Sequence, residues 1–169
     1  MSFILRTLRL LGMVIWVGGL IFFAFVEAPI AFHVMGTTRQ FAQLIGGSTH
    51  AINHLGTTCG FVFIITSLLL WKHNTVRARR LLLAEVTLTA AMIAATAYVE
   101  MRILPAMEND RALAGGDITS VPPTNPARAE FDRLHAASEK VEGSAILLGL
   151  GVILLMAAEG SGSRATIPA

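Results

Sequence analysis

The sequence predicts an all-α integral membrane protein, a four-helix up-and-down transmembrane bundle. Three observations carry this reading. Hydrophobic residues make up 54% of the 169-residue chain and charged residues only 14%, against about 25% charged in an average soluble domain, and the mean hydropathy is +0.65. Four apolar stretches of about 20 residues, each enough to cross a bilayer, use nearly all of the chain once their connections are added. The basic residues gather in a short connection and at the N-terminal approach, where a membrane protein would carry them.

The first span is expected over about 8–33. It starts beyond Arg6 and Arg9 and runs apolar from Leu10 to Val26, then on through Glu27, Pro29 and Phe32. A secretory signal has an apolar segment of about 7–15 residues and a small-residue cleavage site; this run is longer and has no Ala-x-Ala end. Pro29 lacks an amide hydrogen and should kink or end the helix. Gly36 to Thr49 reads as a short connection.

The second span, about 50–71, opens with His50 and His54, two imidazoles at i and i+4 on one helical face. Gly56 and Gly60 follow as a small-xxx-small pair, which lets a neighbouring helix approach closely, and Trp71 stands where an aromatic belt would. The only cysteine, Cys59, lies in this apolar run and leaves no partner for an intramolecular disulfide. Lys72, Arg77, Arg79 and Arg80 then form the densest basic stretch, with no acid among them. By the positive-inside rule that stretch is cytoplasmic, and four spans put both termini on the same side, so the expectation is a multi-pass protein of the cell membrane with cytoplasmic termini.

The third span, about 81–104, is rich in alanine and ends with Glu100, Arg102 and Pro105. Glu108 to Arg128, with Gly115, Gly116, Pro122 and Pro123, has loop composition. The fourth span, about 135–158, opens with His135, Ser138 and Glu142 on one helical face, at a step from polar sequence to hydrocarbon. These elements make one domain over 1–160, and 161–169 reads as a disordered tail.

Ionisable and polar groups therefore collect at one end of the bundle: Glu27 and His33, His50 and His54, Glu100 and Arg102, then His135, Ser138 and Glu142. A charge at mid-bilayer costs about 2.5–3.5 kcal/mol on insertion scales, so such groups face the bundle interior, pair, or bind something. Three uses fit. His50, His54, His135 and Glu142 could hold a transition metal, since imidazole suits Zn, Cu and Fe. His54 and His135 could be the axial pair of a b-type haem, with Gly56 and Gly143 leaving room for the ring; without Cys-x-x-Cys-His, covalent attachment is excluded. A proton, ion or small-solute path is the third, where Glu and His relay charge, and an accessory subunit of a membrane complex is a further alternative. The bilayer is the one partner implied, with other membrane subunits or a second copy as further possibilities. No nucleic-acid signature, phosphate-binding loop or nucleophile–base motif is present, so catalysis has no positive support.

Plainer roles compete at each position. His33, His50, His73 and Glu139 can simply be solvated near helix ends. Glu27 and Arg102 can be an interhelical ion pair, Glu85 can pair with Arg80 or Arg9, and Asp132 or Ser138 can cap the fourth helix. Met13, Met92 and Met156 read as packing rather than metal ligands.

Trp16-x-Gly18-Gly19, then Ala28-Pro29-x-x-Phe32, Leu104-Pro105 and Phe131-Asp132-x-Leu134-His135-x-x-Ser138 stand in order against the four spans. In this the chain resembles the transmembrane protein 205-like family, also described as domain of unknown function 4149. The resemblance implies a small four-helix membrane protein without a settled activity. It assigns no role to Glu27, His50 or His54, which lie outside those motifs.

Overall fold

A computed structural model describes residues 2–36, 38–73 and 75–162. Its four long helices, Phe3–Met35, Arg39–Leu70, Ala78–Leu113 and Pro126–Glu159, are each long and apolar enough to cross a membrane, and are called the first to fourth spans here. Among the described residues there is no strand. The first and second spans pack as one antiparallel hairpin and the third and fourth as another, and the hairpins join through second against third and first against fourth. The bundle thus has a basic end, where the first span starts and Lys72, Arg79 and Arg80 lie, and a distal end carrying the loop between third and fourth spans.

The helices run further than the apolar stretches. The second span starts at Arg39 rather than near His50 because Thr38 caps it, accepting the Phe41 amide at 3.2 Å. Gly36, at φ 60, closes the preceding helix, so the connection expected over Gly36 to Thr49 shrinks to its first residues. The third span continues past Leu104 to Leu113 and stops before Gly115 and Gly116, at φ 83 and 94. In the loop, Asp117 accepts the amide and hydroxyl of Thr119; the hydroxyl first and the amide second hold its carboxyl below the ordinary range. Asn125, not Asp132 or Ser138, caps the fourth helix, accepting the Ala127 amide at 2.9 Å. That helix reaches Gly162, and residues 163–169 of the expected tail lie outside the described residues.

Pro29 and Pro105 do not end their helices. Each follows a single π turn, Phe23–Glu27 in the first span and Val99–Ile103 in the third. There the Ala28 amide bonds back five residues to the Phe23 carbonyl, and the Leu104 amide to that of Val99. A proline cannot donate to the carbonyl four residues earlier and its ring clashes with it; the wider turn is one way a chain absorbs that mismatch and carries the helix onward.

The core is a continuous apolar layer across all four spans, built around Met13, Trp16, Phe63, Met92 and Val152. The glycine pair of the second span holds Trp16 rather than a bare backbone: a Cβ on Gly56 would stand 2.1 Å from the indole Nε1 and one on Gly60 2.7 Å from Cζ3. Gly149 similarly makes way for Val17. Met13 and Met92 are buried in this layer, as packing residues would be. A second cluster at the distal end packs Val99, Ile103 and Met107 against Phe131, Leu134 and Val141. The outward faces carry Phe25, Phe61, Leu83 and Leu147 in the open, as surfaces facing lipid would.

Candidate functional site

Both π turns bring a carboxylate to the distal half, and the second span receives both. Glu27, in the first π turn, accepts the Ser48 hydroxyl. Glu100, in the second, is held by three side chains. Asn53 donates to its Oε2 at 2.9 Å, His50 Nδ1 lies 2.5 Å from Oε1, and His54 Nε2 lies 3.7 Å from the same oxygen. His50, Asn53 and His54 occupy one turn of the second span, so a single helical face presents two imidazoles and an amide to one carboxylate. Asn53 is buried while His54 is 78% exposed. The site therefore has a buried inner wall and an exposed outer arm.

The remaining sequence-derived candidates stand apart from that turn. His135 stacks on Phe131 at 6.3 Å and pairs with Glu139 of its own helix at 3.4 Å. Ser138 is buried and donates to the His135 carbonyl. Glu142 shares its helix face with the buried Ser138, Ala145 and Val152, so it points toward the bundle interior, and it has no hydrogen bond or ion pair among the described residues. Arg102 is exposed, and Glu27 takes Ser48 rather than Arg102, so the expected ion pair between them does not form. His33 is exposed as well, as a solvated residue would be. Among the described residues no ion pair or hydrogen bond links His135 or Glu142 to the second span, and no three His, Cys, Asp or Glu side chains already stand as a metal-ligand set. The space expected beside Gly56 for a haem ring is filled by Trp16.

Sequence reasoning found Glu85 and its partner Arg9 but missed the size of their cluster. At the basic end, Arg9 pairs with Glu85 through Nη2 and with Glu159 through Nη1, the latter at 3.3 Å. Arg6 adds a second contact to Glu159 at 3.3 Å, and the Arg9 guanidinium stacks 5.0 Å from the Phe63 ring centre. The fourth span expected over about 135–158 stops one residue short of Glu159. A carboxylate at helical spacing from Val152 and Met156, both on the packed face, was the available signal.

Four apolar helices, a lipid-facing exterior and polar clusters at both ends define a small multi-pass membrane protein. The model of the family described as "Domain of unknown function (DUF4149)" matches residues 11–112, more than half of the chain. The chain belongs to that family. No curated protein and no solved structure matches it.

Proposed function

We propose that the protein is a cation-binding membrane protein whose site is the turn His50–His54 together with Glu100, and that its ligand is a divalent transition-metal ion. The observation that carries this reading is the approach of two imidazoles, four residues apart, to one oxygen of Glu100. Two imidazoles and a carboxylate are a donor set suited to Zn, Fe, Co or Ni. Asn53 supports it as an orienting group, since its bond to the other carboxylate oxygen fixes the direction of the lone pairs. His54, being exposed, can swing to complete the set. His135 and Glu142 belong to the fourth span and serve no ligand role in this reading. By the positive-inside rule the end bearing Lys72, Arg79 and Arg80 is cytoplasmic, so the site lies at the outer boundary of the cell membrane.

The test is calorimetric titration of the purified protein with Co²⁺, read alongside the visible absorption of the bound ion. Glu100→Gln, His50→Ala and His54→Ala should each weaken binding at least about tenfold, a loss of about 1.4 kcal/mol, while His135→Ala leaves it unchanged. Wild-type protein that takes up no Co²⁺, or variants that bind as wild type does, would refute the assignment.

Transport of a proton or cation is a second reading, favoured by Glu142 facing the bundle interior without a partner. It requires a breach of the apolar layer around Trp16 and Met92, which separates the polar clusters of the two ends. Proton or Co²⁺ uptake into liposomes, lost on Glu142→Gln, would support it; uptake indifferent to that change would count against it.

A further inference from the structure

The first span carries a groove on its lipid-facing side that the proposed cation site does not use. Phe22, Val26, Ile30 and Val34 are exposed and follow one another at intervals of four residues, so they form a ridge along one helix face. With Met35 and, from the second span, Leu44, they line an open groove of about 350 Å³. Its floor is Ala31, which is buried and whose single methyl group leaves the depth unfilled. Glu27 borders the groove but adds almost no polar surface to it, because its carboxylate is engaged by the Ser48 hydroxyl of the second span. The walls are therefore hydrocarbon, and an amine lying in the groove would find no countercharge.

The dimensions suit one extended acyl chain. Phe22 to Met35 is a rise of thirteen residues, about 20 Å of helix, against about 15 Å for one leaflet's half of the hydrocarbon core. The volume stands at the low end of ligand pockets, which run from about 300 to about 1,000 Å³.

The distal mouth of the groove is positive. Beyond Met35 the chain turns into the second span, which begins at Arg39, and Phe32 and Phe41 pack edge to face at 5.8 Å across that connection. His33 and Arg39 are exposed there, and neither has an ion pair among the described residues. No Asp or Glu occurs in the sequence between Glu27 and Glu85, so neither helix end supplies an acid to them. Thr38 takes the Phe41 amide, which leaves the amides of Arg39 and Gln40 at the positive end of a 32-residue helix.

We infer that the groove binds one anionic glycerophospholipid, its acyl chain along the ridge from Phe22 to Val34 and its phosphate at Arg39 and the first amides of the second span. The hydrocarbon wall and the cationic mouth are separate features, and a phospholipid matches both. A second copy of the chain docked on this face about a two-fold axis would bring like charge to like charge at the mouth. The site makes no use of His50, His54 or Glu100, so it stands apart from the cation reading.

Native mass spectrometry tests this on the full chain released from nanodiscs of equimolar phosphatidylglycerol and phosphatidylcholine with identical acyl chains. The wild type should retain one lipid per chain and favour phosphatidylglycerol about fivefold, the factor that one basic residue contributes beside an anionic headgroup. Arg39→Gln should bring that preference near parity while a lipid is still retained. Ala31→Leu, which fills the floor, should lower retention of both lipids; if it fails to insert, Ile30→Ala with Val34→Ala flattens the exposed ridge to the same effect. Lys72→Gln with Arg80→Gln, at the basic end, should change neither reading. Equal retention of the two lipids by wild type, a preference that follows Lys72 and Arg80 rather than Arg39, or a lipid-free dimer would overturn the inference. Failure of Co²⁺ to bind in the calorimetric test would leave these results untouched.

Discussion

A methyl group at Gly56 would stand 2.1 Å from Trp16 Nε1, and the indole has nowhere to retreat because it is buried against Gly60 on its far edge. Gly56→Ala should therefore cost at least the upper part of the overpacking range, about 1–3 kcal/mol, and thermal unfolding in detergent should register a lower midpoint. Trp16→Ala should lose about 3–5 kcal/mol through the cavity it leaves, and Gly56→Ala combined with Trp16→Ala should cost less than the sum of the two. Strict additivity would mean that the two positions do not meet. The spacing of Gly56 and Gly60 was legible in the sequence because small residues four apart mark one helix face. Which side chain fills the notch was not, since Trp16 sits in an apolar run where any residue of the first span could have turned inward.

The π turns matter at the scale of an element. Each adds one residue to a helical turn, and a residue is worth about 100° of rotation. In the third span that rotation decides which side chains beyond Ile103 meet the fourth span, where Ile103 and Met107 pack against Phe131 and Leu134. Deleting Met101, whose side chain is exposed, should restore an ordinary α turn and swing Met107 off that contact. Hydrogen exchange should then quicken across 104–113 while the first hairpin keeps its protection; unchanged exchange would mean that the π turn sets no register. Pro29 and Pro105 were visible as irregularities, but a proline equally suits a helix end, a kink or a π turn. The helix starts at Arg39 and Pro126 were harder to read for a different reason. Membrane composition flags where hydrocarbon begins, whereas caps at Thr38 and Asn125 begin the helices earlier, in polar sequence.

At the scale of the whole molecule, the second span alone has 32 residues, about 48 Å of helix at 1.5 Å per residue, against a hydrocarbon core of about 30 Å. The surplus falls mostly at the distal end, which carries His33, Arg39, Glu108, Arg128 and Asp132 as a polar crown. A cysteine at Thr75, exposed in the turn between second and third spans, in a Cys59→Ser background, should react with an impermeant thiol reagent only once the cytoplasmic face is opened. Reaction from outside intact cells would invert the proposed topology and with it the placement of the proposed metal site. The four spans and their alternation were plain in the hydropathy, while the convergence of His50, Asn53 and His54 on Glu100 was only half visible. The histidines announce themselves by spacing, but the partner carboxylate comes from a helix whose rotation the π turn sets.

The ionic cluster at the basic end also constrains how the chain is made. Arg9 meets Glu85 across 76 positions and Glu159 across 150, so the first hairpin enters the membrane with its arginine unmatched. During synthesis Arg9 can stay near the lipid headgroups by extending its side chain toward them, holding the first span shallow until the third arrives. The final countercharge emerges only with the last turn of the last span. The ionic cluster is thus complete only once Glu159, at the far end of the chain from Arg9, is in place.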